Sequence, residues 1–372
     1  MSSGFSRARL HAQVIKELLS LLRDPRTRVA LIVPPILQLF VFSFAATLEV
    51  DNVKIAVVNE DAGRWSYELL ARVRGAGFVS DVTFVDSDQE LATLLDRRRV
   101  LIGIHFPSDF SRNVAAGQHA SAQVLVDGRR ANAGQVALGY LQTIATNLNV
   151  DLVGSAAAQP PRGVVRYWFN PNLSYQWFVV PALGAILALF IALIVTALSI
   201  ARERELGTFD QLLVSPATPI EIIVGKTVPA LIIGSVLGTI MIGCGVFIFR
   251  VPFTGSFFML WLLMVLFILS VVGIGLMISS VCQTQQQAVL GTFAFAIPTI
   301  LMSGFATPVE NMPYALQIVA QADPLKHFLI IIQGSFLKAL PISELWANAW
   351  PLAAIAAVTL STAVLFVRGR LQ

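Results

Sequence analysis

Val251 to Val309 is a run of 59 residues without a single charged side chain. Wound as one helix it would be about 88 Å long, nearly three times the roughly 30 Å hydrocarbon core of a bilayer, so it must cross a membrane at least twice. The polar stretch Gln283-Thr284-Gln285-Gln286-Gln287 marks the turn between the two crossings. Four more segments meet the same test of length and apolarity. Val29 to Leu48 is uncharged for 20 residues, and Tyr167 to Ala201 for 35. In the latter, Asn170-Pro171-Asn172 breaks the chain and Tyr167, Trp168, Tyr175 and Trp177 form an interfacial aromatic belt, which puts the span at about Gln176 to Ala201. Ile222 to Phe249 is the third span, and Trp346 to Val367, closed by Arg368 and Arg370, is the last. With 56% hydrophobic and 13% charged residues and a mean hydropathy of +0.72, the chain is expected to be an α-helical integral membrane protein of six spans.

Charge sets the orientation. Residues 1–28 carry Arg7, Arg9, Lys16, Arg23, Arg26 and Arg28 against Glu17 and Asp24, which holds this end in the cytoplasm. Six spans then return the C-terminus to the same side. Eleven Lys and Arg fall in the segments expected inside, twelve in the large loop after the first span and three in the other outer loops. The pI near 9.3 therefore reflects membrane orientation, and no nucleic-acid partner is expected. Leu10, Val14, Leu18 and Leu21 recur at helical spacing, so 1–28 reads as an amphipathic helix lying in the inner interface, ended at Asp24-Pro25. The apolar region that follows is too long for a cleaved signal peptide. Cys244 and Cys282 support neither a disulfide framework nor a metal site.

Between the first two spans, residues 49–166 have ordinary composition, and periodicity switches between strand and helix. Strands are expected at VKIAVVN from Val53, FVSDVTFV from Phe78, VLIGIHF from Val100 and AQVLVD from Ala122; helices at Tyr67 to Val73, Gln89 to Arg98, a short one opened by Pro107, and a long one from Gln135. That is an external α/β domain large enough to bury its own core. His105 and His119 show no ligand pattern. Arg97-Arg98-Arg99 reads as a solvated helix end, with an anionic partner as the alternative; Asn59-Glu60-Asp61 reads as a turn, with a cation as the alternative.

The charged island Arg202 to Glu221, RERELGTFDQLLVSPATPIE, joins the second and third spans. Thr208 with Gln211, and Thr218 with Glu221, have capping-box spacing, and Pro219 takes the first helical position of the second helix. The first helix is short, about Phe209 to Val214, because Ser215-Pro216 disfavours continuation. Phe209, Leu212 and Leu213 give it an apolar face suited to another protein's groove.

The stretch RERELGTFDQLLVSPATPIEIIVGKTVP resembles the cytoplasmic loop of ABC-2 type export permeases, in the branch with a large external domain. Further matches follow in order: WFNPNLSYQWFVVP from Trp168, TQQQA from Thr284, SGFATPVENMP from Ser303 and DPLKHFLIIIQGSFLK from Asp323. The resemblance covers nearly the whole chain. It implies a membrane domain 167–372 in which loop 202–221 is a coupling helix docked on a separate ATPase, with Arg204, Glu205, Gly207, Thr208, Phe209, Gln211, Leu212, Leu213, Ser215 and Pro216 as its contact set. It also implies that 308–345 re-enters the outer leaflet at the exit, with Pro308, Glu310, Asn311, Pro324, His327 and Ile331 as marker residues. The partners implied are an ABC ATPase that binds ATP and Mg, a second identical or related permease, a periplasmic adaptor of the membrane fusion type, and the bilayer of a bacterial inner membrane. The chain itself is expected to carry no cofactor and no catalytic residues.

The energy source is expected to lie outside the chain on independent grounds. No ionisable side chain falls in the middle of an expected span, as a proton- or ion-coupled carrier would need. Gly225-Lys226-Thr227 copies the end of a phosphate loop, but position 220 is Ile220 instead of the required glycine and no strand precedes it. The expected function is ATP-driven export of amphipathic or drug-like molecules. The rivals are a non-transporting signal or force transmitter, an exporter of lipid-linked or ionic cargo, and a secondary carrier.

Overall fold

A computed structural model describes residues 6–23, 25–45, 50–61, 63–153, 169–170, 174–208 and 218–370. The chain divides into two compact units, Met1–Ala46 with Tyr167–Gln372, and Thr47–Arg166.

The first unit is helical. Its elements are α1 (Arg7–Arg23) and α2 (Pro25–Ala45), then after the second unit α7 (Tyr175–Glu205), α8 (Pro219–Phe247), α9 (Phe257–Val281), α10 (Gln285–Met302), α11 (Tyr314–Ala320), α12 (Pro324–Leu337) and α13 (Ile342–Arg370). Four of them, α7, α8, α9 and α13, are long and apolar enough to cross a membrane, and α11 with α12, bent by 75° at their junction, would make a fifth if the pair is one span. The described apolar stretch of α2, Leu31–Phe44, is shorter, and α10 opens on three glutamines and holds 18 residues. The turn expected at Gln283–Gln287 falls between α9 and α10, where Thr284 caps the second helix by accepting the Gln287 N–H.

The helix α7 is the axis of this unit. From Tyr175 to Ala201 it carries no charge, and most of that stretch is buried, because α2, α8, α9, α10 and α12 all pack on it. Side-chain size sets how closely the neighbours come. A Cβ on Gly275 of α9 would overlap the side chain of Thr196 in α7, and one on Gly273 would overlap Thr359 of α13. Small residues at helix crossings let backbones approach where water supplies no driving force. Gly275→Val should therefore overpack the α7–α9 contact at about 1–3 kcal/mol, read as earlier thermal unfolding in detergent, whereas Gly243→Ala, which meets nothing within 4 Å, should be silent.

The second unit comprises β1 (Val53–Asn59), α3 (Arg64–Arg74), β2 (Val79–Phe84), α4 (Asp88–Asp96), β3 (Ile102–Phe106), α5 (Phe110–Ala115), β4 (Gln123–Val126) and α6 (Ala131–Val153). The sheet order is β2-β1-β3-β4, with β1 parallel to both neighbours and β4 antiparallel at the edge. Ile55, Val57, Ile102, Ile104 and Phe106 form one core with α3, α5 and α6, while Ala56, Val58 and Leu91 form another under α4. The turn after β1 holds Asp61, 4% exposed, whose carboxylate accepts the backbone N–H and hydroxyl of Ser111. Burial raises its pKa, but the hydrogen bonds from Ser111 and Ser66 outweigh that and hold it below the usual carboxylate range. His105 faces Asp88 at 3.0 Å and Glu60 at 3.6 Å. Among the described residues no three His, Cys, Asp or Glu side chains are placed to hold a metal ion.

Candidate functional site

The two flanks of the charged island are held at one end of the helical unit by a network that joins five elements. On the incoming side, α7 ends in a Schellman motif: Gly207 sits at φ +70°, its N–H reaches Arg204 O at 3.0 Å, and the Thr208 N–H reaches Glu203 O at 2.9 Å. The Thr208 hydroxyl also donates to Glu203 O at 3.2 Å. On the outgoing side, the capping box expected at Thr218 and Glu221 is present, with Pro219 opening α8. Phe209, Gln211, Leu212, Leu213, Ser215 and Pro216, with the short helix expected there, lie outside the described residues.

Both flanks are strapped to α1. The helix α1, expected from its periodicity to be amphipathic, packs on α8, and its polar residues are the fasteners. Arg9 lies 3.1 Å from Glu221 Oε1, which also accepts the Ser6 N–H at 2.6 Å. Lys16 reaches Glu203 at 3.0 Å. Lys226 of α8, with a side chain 0% exposed, donates to Glu17 Oε1 at 2.9 Å and to Ser199 Oγ at 3.0 Å. Its Nζ also stands 2.9 Å from Glu203 Oε2, close enough for ionic attraction but off the angle of a hydrogen bond. Lys16, Glu17, Glu203 and Lys226 thus form a charge-balanced cluster of two cations and two carboxylates. Balance of this kind is what allows charge to be held away from water at all.

This accounts for the sequence Gly225-Lys226-Thr227, which only mimics a nucleotide motif. A Cβ at Gly225 would overlap the Gln13 side chain, so the glycine admits α1 and the lysine then pairs with it. The cluster could not be read from spacing, since Lys226 lies 209 residues from Glu17.

The same end carries a second tie. Arg204 donates to Ser280 O at 2.7 Å and Cys282 O at 3.0 Å, satisfying carbonyls left open where α9 ends. Glu205 accepts the Gln285 N–H at 2.7 Å, at the start of α10. Of the expected contact set, Arg204, Glu205, Gly207 and Thr208 are therefore brought together, and Arg204 and Glu205 face the α9–α10 turn.

The second expected group is split. Glu310 and Asn311 belong to a single 3₁₀ turn, Val309–Asn311, with Pro308 immediately before it. Asp323 caps α12 through Leu325 N at 2.8 Å, and Pro324 is its first residue. His327 is buried, with Nε2 2.9 Å from Gln321 O and Nδ1 3.2 Å from Asn348 Oδ1, so it ties the bend to α13. Ile331 is 0% exposed in the bundle core, while Ile330 is 41% exposed. Within α12, then, Ile331 packs inward and Ile330 faces outward.

The chain thus combines a unit of long apolar helices, an α/β unit inserted in the sequence after α2, and an ionic collar at the two flanks of the island 202–221. The family described as ABC-2 family transporter protein matches residues 26–365, and the chain belongs to it. It is a multi-pass membrane protein and the permease component of an ABC exporter. It is 45% identical over 98% of its length, and 99% of the other's, to a protein of Escherichia coli K12 described as "Probable multidrug ABC transporter permease YbhR". It is 29% identical to that organism's YbhS, described in the same words, over 88% of both chains, and 27% identical over 95% of both to its "Inner membrane transport permease YhhJ".

Proposed function

We propose that this chain moves amphipathic or drug-like molecules out of the cytoplasm or inner leaflet of a bacterial inner membrane, using ATP hydrolysed by a separate subunit that docks on loop 202–221. The observation that carries this reading is the collar: Arg9, Lys16, Glu17, Glu203, Glu221 and Lys226 tie α7, α8 and α1 into one body at the base of that loop. A displacement of the loop is then delivered to the central helix α7, which packs on most of the bundle. The description of the two Escherichia coli relatives as probable multidrug permeases favours a drug-like cargo.

In this reading α2, α7, α8, α9, α10 and α13 are six spans, both termini are cytoplasmic, α11 and α12 re-enter from outside, and residues 49–166 form the external domain. The translocation path forms between two permeases, identical or related, because six spans, one of them the buried α7, leave little cavity in one copy. A periplasmic adaptor of the membrane fusion type is a further partner in keeping with the family resemblance, and ATP and Mg belong to the ATPase.

Reconstitution of the permease with its ATPase in sealed vesicles tests the function. ATP-dependent vectorial flux of a drug-like substrate is expected. Hydrolysis without flux would replace export by force or signal transmission, and flux without the ATPase would make the chain a secondary carrier. The topology has its own test in a Cys244→Ser, Cys282→Ser background. Single cysteines replacing the exposed Gln89 and Glu310 should react with an impermeant thiol reagent in intact cells, and one replacing the exposed Gln286 should not. Labelling at 286 from outside would overturn the six-span arrangement.

A further inference from the structure

We infer that a basic pocket in the α/β unit binds a phosphate group, with the headgroup of an anionic phospholipid as its source. The pocket, about 480 Å³, opens beside the start of β1 and is lined by Asp51, Asn52, Lys54, Arg98, Arg99 and Arg130 among others. It gathers four cations against one carboxylate. All four are exposed, and among the described residues none of them is in an ion pair. The single carboxylate leaves the concave site with a net positive charge, which raises the local concentration of anions, and arginine's planar fork matches phosphate oxygens.

The pocket is built, and Arg129 builds it. That side chain is fully engaged: Nε lies 2.8 Å from Asp127 Oδ1, and the guanidinium donates to Leu95 O at 2.6 Å and Asp96 O at 3.2 Å. It thereby staples the last carbonyls of α4 to the turn after β4, which brings Arg98 and Arg99 to the same mouth as Arg130. The hydrogen bond from Arg129 holds the Asp127 carboxyl below its usual range, so that charge is already committed. Two residues of the rim, Asn52 at φ +61° and Arg98 at φ +56°, have left-handed backbone. At the helix end occupied by Arg98 a glycine is the usual choice, and keeping an arginine there retains a guanidinium at a conformational cost.

The choice of a lipid as source rests on the topology proposed above; the pocket itself does not. If α2 crosses the bilayer, only six residues separate its last residue, Ala45, from Asn52 on the pocket rim, so the pocket-lining segment follows the membrane exit directly in the sequence. Headgroup phosphates are the anions concentrated there, and basic side chains near a charged leaflet are attracted to it.

Hydrogen exchange on the full chain in nanodiscs provides the test, with three baths: phosphatidylcholine alone, phosphatidylcholine with phosphatidylglycerol, and phosphatidylcholine with inorganic phosphate in solution. Exchange at residues 97–99 should slow several-fold with phosphatidylglycerol. The Arg99→Gln, Arg130→Gln double variant should lose the effect, and Arg99→Lys, Arg130→Lys should keep most of it. Unchanged exchange in β1 and β3 shows that the variants are folded. Slowing by inorganic phosphate alone keeps the phosphate site and identifies a soluble anion as its source. No slowing in either bath, or slowing that survives in the glutamine variant, would overturn the site. A failed topology is seen separately, in the labelling of a cysteine at Gln89.

Discussion

Replacing Lys226 with alanine should cost the protein about 3–5 kcal/mol, which is about two to four orders of magnitude in the ratio of folded to unfolded protein, because it leaves Glu17 and Glu203 facing each other away from water. The side chain is 0% exposed and both carboxylates about 10%. The comparison that isolates the cause is Lys16→Ala. Lys16 also meets Glu203, at 3.0 Å, but is 60% exposed, so water takes over much of its role and the loss should stay under about 1 kcal/mol. A neutral repair should recover stability without restoring charge: in a Lys226→Met background, Glu17→Gln and Glu203→Gln together remove the unpaired carboxylates. Thermal unfolding in detergent gives the ranking, with Lys16→Ala near wild type, Lys226→Ala far below it, and the triple variant between them. If Lys226→Ala unfolds with the wild type, the cluster is an ornament of the bundle and not its fastening.

Leu212→Asp should abolish co-purification of the ATPase while membrane insertion stays normal. The residue lies outside the described segments; by spacing alone, Phe209, Leu212 and Leu213 would share one face of the short helix expected between Gly207 and Ser215-Pro216. A carboxylate left unpaired in an apolar groove costs several kcal/mol, enough to weaken binding by orders of magnitude. Thr208→Ala should be milder, about 1 kcal/mol for a lost cap, and the structure gives that hydroxyl a second role in its bond to Glu203 O. The two variants should keep that order in substrate-stimulated ATP hydrolysis.

What could be read in the sequence was local or massive. The Thr218-Pro219-Glu221 start of α8 is written in four adjacent residues, and the uncharged run from Val251 is too long to be one bilayer-length helix, as its division into α9 and α10 at the glutamine turn bears out. The α/β unit was legible as an alternation of strand and helix periods, although nothing in one strand announces that β1 lies between β2 and β3. The collar was not legible. Its members look like snorkelling or interfacial charges when taken singly, and only the packing of α1 on α8, admitted by Gly225, brings Glu17 to Lys226. The burial of Ile331 was hidden for a different reason. Phe328-Leu329-Ile330-Ile331-Ile332 is apolar at every position and therefore carries no phase, so the inward face of α12 is decided by its neighbours α7, α9 and α13.

The most direct measurement for the account as a whole is the position at which the ATPase touches this chain. A photo-reactive phenylalanine analogue at Phe209, irradiated in native membrane vesicles, should give an adduct of the permease with the ATPase subunit, and Leu212→Asp in the same chain should remove it. The same analogue at Gln89 should give none. An ATPase adduct at 89, or its persistence at 209 in the Leu212→Asp chain, would contradict the assignment of loop 202–221 as the coupling site.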